Sequence, residues 1–260
     1  MNGTINAIND IDGGPGAGIY VNGNIKHENN TPIINLTNTT KITSTGNGIY
    51  SAGYAKYNIN GAYISGEESA LGIKSGIFNI KNATLIGTGP DKTPTSGNNN
   101  GINPSGTAIQ IESNNGYKGD IELYIENGTI QSKNSNVIYE YTVNNTNTKV
   151  KNITLSGGNY ISNTNKPVFS LSNSFKSTHN KFISGGTYSS NPSEYLKNGY
   201  TTTETNNEYK VIEVFKEKTI KEEKKEEKNL FLPITLIISS ILIISFIIYK
   251  NRYKILNLFK

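Results

Sequence analysis

The octet Ile125-Glu126-Asn127-Gly128-Thr129-Ile130-Gln131-Ser132 decides the fold, because its pattern recurs along the chain. An aliphatic residue is followed by any residue, Asn or Gly, then Gly or Ala. A Thr-like residue, an apolar residue, any residue and Gly or Ser complete it. The other copies are residues 59–66 (INGAYISG), 80–87 (IKNATLIG), 155–162 (LSGGNYIS) and 183–190 (ISGGTYSS). Their starts lie 21, 45, 30 and 28 residues apart. The longest interval holds residues 89–106, GPDKTPTSGNNNGINPSG, which has the composition of an inserted loop. A weaker echo, Val21-Asn22-Gly23-Asn24-Ile25, suggests one more turn upstream.

Short alternating runs separate the copies, among them residues 70–73 (ALGI), 107–111 (TAIQI) and 167–171 (PVFSL). One such strand cannot bury its apolar side alone, whereas equivalent strands stacked turn upon turn make a continuous core. Gly and Asn suit the corners because they tolerate φ above zero, and stacked asparagines can bond one another along the axis. The expectation is an all-β chain, a right-handed parallel β-helix from about residue 15 to 190. Ile80, Leu85, Ile125, Ile130, Leu155, Ile183 and Tyr188 should fill core or ladder positions. A sandwich of antiparallel hairpins explains a fixed octet less well.

Residues 183–200, ISGGTYSSNPSEYLKNGY, followed by residues 208–212, EYKVI, carry a resemblance. They are similar to the segment that closes many right-handed β-helices of the pectate-lyase-like superfamily in surface proteins of Gram-positive bacteria. The resemblance implies a fold and an extracellular setting, and no particular activity, since that superfamily spans lyases, hydrolases, adhesins and inert stalks. Its polygalacturonase-like members need paired aspartates, Gly-His-Gly and Arg-x-Lys elements, which this sequence lacks. Its calcium-dependent lyases use an acidic cluster with a basic residue, usually arginine, and the sole arginine here is Arg252.

Residues 230–249, LFLPITLIISSILIISFIIY, carry no charge. As a helix they would rise about 30 Å, the thickness of a bilayer's hydrocarbon core. Leu230, Phe231, Ile237, Ile241, Ile244, Phe246 and Tyr249 are the expected anchor residues. Lys250, Arg252, Lys254 and Lys260 follow and set the topology, with a cytoplasmic C-terminus and the large domain outside. Leu232-Pro233-Ile234-Thr235-Leu236 resembles a sorting signal with its glycine replaced by Leu236, so a retained membrane anchor is expected. Residues 216–228, KEKTIKEEKKEEK, place Glu217–Lys221 and Lys218–Glu222 at i, i+4 and read as a solvated stalk. The expected organisation is a solenoid over 1–190, a terminal coil or cap over 191–215, the stalk over 216–229, the span over 230–249 and a basic tail over 250–260. Neither a secretory signal nor an N-terminal cap is legible after Met1, which reads as the C-terminal part of a longer surface protein.

Composition narrows the chemistry. Up to Lys210 there are 15 lysines against 14 acids, so the basic excess lies mostly after the span, and a nucleic-acid partner is not expected. The absence of cysteine excludes disulfides and thiolate metal sites. His27 and His179 stand in different coils, and Asp10, Asp12, Asp91 and Asp120 are scattered. The glycine-rich run from Gly13 to Gly18 leads into a strand instead of a helix, so it reads as a corner and not a phosphate loop. Glu67 and Glu68, with Glu112 or Glu122 from neighbouring coils, are the acids from which a lyase or hydrolase pair could be built. Tyrosines 50, 54, 57, 63, 117, 124, 139, 141 and 160 offer either stacking surfaces or internal ladders. The expected function is non-catalytic and needs no cofactor: a membrane-anchored surface protein that displays a β-helix for adhesion or binding. Its expected partners are the lipid bilayer and a glycan or host or neighbour-cell surface protein; the alternative is an extracellular polysaccharide lyase or hydrolase.

Overall fold

Strands follow one another through three sheets in a fixed rotation. The computed structural model describes residues 3–8, 16–23, 30–92, 106–143, 147–214 and 249. The first coil comprises β1 (Gly3–Ala7), β2 (Ala17–Val21) and β3 (Ile33–Leu36), and the second β4 (Thr40–Ser44), β5 (Asn47–Ser51) and β6 (Lys56–Asn60). The third has β7 (Tyr63–Gly66), β8 (Ser69–Ile73) and β9 (Gly76–Lys81), and the fourth β10 (Ala83–Gly87), β11 (Thr107–Ser113) and β12 (Ile121–Ile125). The fifth has β13 (Gly128–Ser132), β14 (Ile138–Thr142) and β15 (Val150–Leu155). Then come β16 (Asn159–Ser162), β17 (Phe169–Ser170), helix α1 (Asn173–Thr178), β18 (Thr187–Tyr188), β19 (Tyr200–Thr205) and β20 (Glu208–Glu213). Sheet A runs β1-β4-β7-β10-β13-β16-β18-β20-β19, sheet B β17-β14-β11-β8-β5-β2 and sheet C β15-β12-β9-β6-β3. Every described pairing is parallel except β18–β20 and β19–β20. This repeat-like parallel β structure is consistent with the parallel β-helix that the octets predict, and the antiparallel sandwich is excluded.

The octets stand in register. Their first positions form one ladder, Leu36–Ile59–Ile80–Ile125–Leu155–Ile183–Leu196, along sheet C. Their sixth positions form a second, Ile42–Ile64–Leu85–Ile130–Tyr160–Tyr188, along sheet A. Ile80, Leu85, Ile125, Ile130, Leu155, Ile183 and Tyr188 are all buried, as expected. A third ladder, Ile19–Ile49–Leu71–Ile109–Ile138–Phe169, comes from sheet B. The octet is thus the corner where the chain leaves sheet C and enters sheet A.

That corner explains the small residues. Gly61 and Asn82, third in their octets, have φ of 80° and 52°. In the later coils the left-handed residue is fourth: Gly128, Gly158 and Gly186, at 132°, 102° and 101°. A Cβ at Gly128 would stand 2.3 Å from the carbonyl oxygen of Ala83 in the coil before, so glycine is required twice over.

The upstream echo is a correction. Val21 ends β2 in sheet B, away from the sheet C–A corner. The true earlier copy begins at Leu36 and carries one residue more between its two ladder positions, Leu36 and Ile42. Its corner, Thr37-Asn38-Thr39, has no glycine and is closed by a bond from Thr40 N–H to the Thr37 carbonyl, 2.9 Å. The sequence also hid α1, whose N-cap Ser172 accepts a bond from Phe175 N–H. Phe169, Phe175, Phe182, Tyr188 and Tyr195 meet in an aromatic cluster at this end of the core. All the described strands belong to one compact unit, Met1–Val214.

Candidate functional site

The three sheets present different outer faces. In β12, alternation buries Ile121, Leu123 and Ile125 and turns Glu122 and Tyr124 outward. Tyr124 floors a shallow depression whose other lining residues are Asn79, Ile125, Glu126, Thr154 and Ser156. Its hydroxyl donates to Glu122 Oε2 at 2.6 Å, and the same oxygen accepts from Asn152 Nδ2 at 3.2 Å. The bond to Glu122 pushes the Tyr124 phenol up to about 12, so it stays a neutral donor at neutral pH. Asparagines continue the row: Asn79 Nδ2 donates to Asn58 Oδ1 at 3.0 Å, and Asn58 Nδ2 to Asn35 Oδ1 at 2.8 Å. Stacked asparagines were expected at the corners, and there Asn127 Nδ2 donates to Asn82 Oδ1 at 3.2 Å; the row from Asn35 to Asn79 stands instead within β3, β6 and β9.

Sheet B is buried on both faces at β5, β8 and β11. Its outer side carries an ion pair, Lys74 Nζ to Glu112 Oε2 at 2.8 Å, with side chains 1 % and 0 % exposed. Tyr141 donates its hydroxyl to Glu112 Oε2 at 2.9 Å, and Asn114 Nδ2 donates to Oε1 at 2.8 Å. Lys74 also reaches the Tyr117 hydroxyl at 3.3 Å and stands 5.1 Å and 4.8 Å from the ring centroids of Tyr50 and Tyr117. Burial pushes the Tyr50 and Tyr117 phenols up to about 12. Lys149 donates to the Tyr117 carbonyl at 2.5 Å, and burial pulls its amine down to about 8.

Of the acids singled out in the sequence, Glu67 and Glu122 stand on different sheets, while Glu68 and Glu112 both lie near Lys74. Glu112 is neutralised by Lys74 on sheet B, and Glu122 faces outward from sheet C. Glu67 is exposed and borders a depression on sheet A with Asn6, Thr43, Ser65 and Thr88. Burial raises the Glu68 carboxyl above its ordinary range, against the pull of Lys92 and Lys74. Among the described residues no three of His, Cys, Asp and Glu converge to hold a metal ion. Asp91 pairs with Lys166, and His179 caps α1 with its ring stacked 5.0 Å from Phe175.

Several of the tyrosines form the internal ladders foreseen. Tyr57 and Tyr160 are core residues, stacked on Phe78 and Tyr188 at 4.3 Å and 4.6 Å. Tyr50 stacks on the exposed Tyr20 at 4.9 Å, while Tyr63 lies beneath Lys41 on sheet A.

Sequence reading missed Lys74 and Asn114, because a charged residue and an Asn beside turns read as solvated. The clue was spacing: Gln110 and Glu112 alternate on one side of β11 and Asn114 continues the phase one residue past its end, next to the strand that leads into Lys74.

Other sequence expectations lie outside the described residues: His27, Asp10, Asp12, residues 93–105 of the inserted loop and the 216–228 stalk. So do the Leu232–Leu236 motif, the anchor residues Leu230, Phe231, Ile237, Ile241, Ile244 and Phe246, and the basic Lys250, Arg252, Lys254 and Lys260. Tyr249 is described and is exposed. Among the described residues no helix is long and apolar enough to cross a membrane. Compared with protein-family models, with curated proteins and with solved structures, the chain matches none.

Proposed function

We propose that this chain is a membrane-anchored surface protein whose right-handed parallel β-helix, of the pectate-lyase-like kind, binds glycans or proteins outside the cell without catalysis. The observation that supports binding is the sheet C depression. A half-exposed tyrosine ring with a pinned hydroxyl lies beside amide and hydroxyl groups, the mixture that stacks on a sugar face and bonds its hydroxyls. The neutralisation of Glu112 by Lys74 and the placement of Glu122 on a different sheet support the non-catalytic half of the reading.

Tyr124→Ala is expected to weaken glycan binding about tenfold, a loss of about 1.4 kcal/mol, and to change stability by no more than about 0.5 kcal/mol. Titration of the full chain in detergent against neutral and acidic oligosaccharides measures the first, and denaturant unfolding of the two proteins the second. Undiminished binding by the variant would move the contact to another face. Turnover of a pectic or other acidic polysaccharide, lost on replacing the four glutamates, would replace the binding module with an enzyme.

The anchor is carried by the uncharged 230–249 run and the basic residues behind it. Protease treatment of intact cells should digest residues 1–229 and spare residues 250–260. A protected β domain would place it on the cytoplasmic side and end the surface reading.

A further inference from the structure

We propose that Lys74 and Asn114 become joined by a self-catalysed amide bond, with Glu112 as the acid–base group between them. The inference is independent of the binding function above. A buried amine and a buried carboxamide occupy the two oxygens of one buried carboxylate: Lys74 Nζ on Oε2 at 2.8 Å and Asn114 Nδ2 on Oε1 at 2.8 Å. All three residues are at most 1 % exposed.

Strand geometry brings the reacting groups within reach. Ile73 pairs with Ile111 in register, so Lys74 stands one position beyond the last pair, beside Glu112, and Asn114 is its diagonal neighbour. Diagonal residues in a sheet have Cα atoms about 7–8 Å apart, which a lysine side chain spans. The target carbonyl is already polarised, because Asn114 Oδ1 accepts the Gly116 N–H at 2.9 Å. That donor faces the oxygen on which negative charge would develop during attack. Tyr50, Tyr117 and Tyr141 surround the group and keep water from competing for the carbonyl.

The step balances without a further reagent. Lys74 passes a proton to Glu112, and the freed amine attacks Asn114 Cγ, forming the Nζ–Cγ bond. Glu112 returns its proton to Nδ2 and then takes the surplus proton from Nζ. Collapse of the tetrahedral centre breaks the Cγ–Nδ2 bond, and ammonia leaves with the proton held by Glu112. The net change is ammonium plus carboxamide giving a secondary amide plus an ammonium ion, with Glu112 regenerated. The product would tie the third coil to the fourth across the 89–106 insertion, where no octet holds the chain.

The test is the mass of the purified full chain, followed by a peptide map. The expected result is a chain lighter than its sequence by one ammonia, with a branched peptide linking positions 74 and 114. Glu112→Gln, Lys74→Arg and Asn114→Ala should each restore the full mass. Should those variants not fold, the wild-type map decides alone. Folded wild-type protein that keeps its full mass overturns the proposal. So does a missing ammonia that maps elsewhere, for instance to a ring closed at Asn127-Gly128.

Discussion

Tyr160→Ala is expected to destabilise the β domain by about 3–5 kcal/mol, the range for deleting a buried aromatic ring. Tyr160 is fully buried, pairs with Ile130 on one side and stacks on Tyr188 at 4.6 Å with 3° between the planes. Its hydroxyl donates to the Gly157 carbonyl at 3.0 Å, inside the corner of its own octet. Alanine would open a void between two coils and leave that carbonyl without its partner. Tyr160→Phe keeps the ring and loses only the bond, at a cost of about 1 kcal/mol. Denaturant midpoints of the three proteins measure the series. A Tyr160→Ala variant within about 1 kcal/mol of the parent would mean that the ladder does not carry the domain's cohesion.

Gly128→Ala is the second large effect, expected at about 3 kcal/mol or more from backbone strain and overpacking together. Gly128 has φ of 132°, and a Cβ there would stand 2.3 Å and 2.9 Å from the oxygen and nitrogen of Ala83. Both are backbone atoms of the paired strand, so relief requires the fourth and fifth coils to separate. Gly199 separates the two causes. Its φ of 86° is equally unfavourable to a side chain, but nothing lies within 4 Å of its Cβ position. Gly199→Ala should therefore cost only about 1–2 kcal/mol. Equal losses at the two sites, read from thermal unfolding, would remove the close-approach argument.

Much of the architecture was legible because one corner does two jobs. The turn from sheet C into sheet A needs a left-handed residue, and the apolar residues flanking it belong to two core ladders. Small and apolar positions therefore recur at fixed spacing, as in residues 59–66 and 125–132. The corner at Leu36 escaped because Thr37-Asn38-Thr39 replaces the glycine with a hydrogen-bonded turn and adds a residue. The outer face of sheet B was illegible for another reason. Lys74 and Glu112 are polar residues buried against each other from 38 residues apart, and Tyr141 reaches Glu112 from 29 residues further on. No local pattern encodes that neutralisation. The Tyr124 depression was foreseen only as tyrosine abundance, since outward placement depends on the phase of β12.

The unequal ends of the three sheets bear on filament growth. A molecule elongates into a fibre when the free strand edges of one copy serve as templates for the next. The first coil contributes a strand of four or five residues to each of the three sheets, β1, β2 and β3. At the other end sheet B stops on the two-residue β17, and sheet C on single bridges at Ile183 and Leu196. Among the described residues only sheet A ends on a long strand there, β19, which is reached through a reversal of strand direction at β20. A coil arriving to extend all three sheets at that end would find one template where it needs three. The fold thus carries its own brake on runaway polymerisation, built from a hairpin and a shortage of strands.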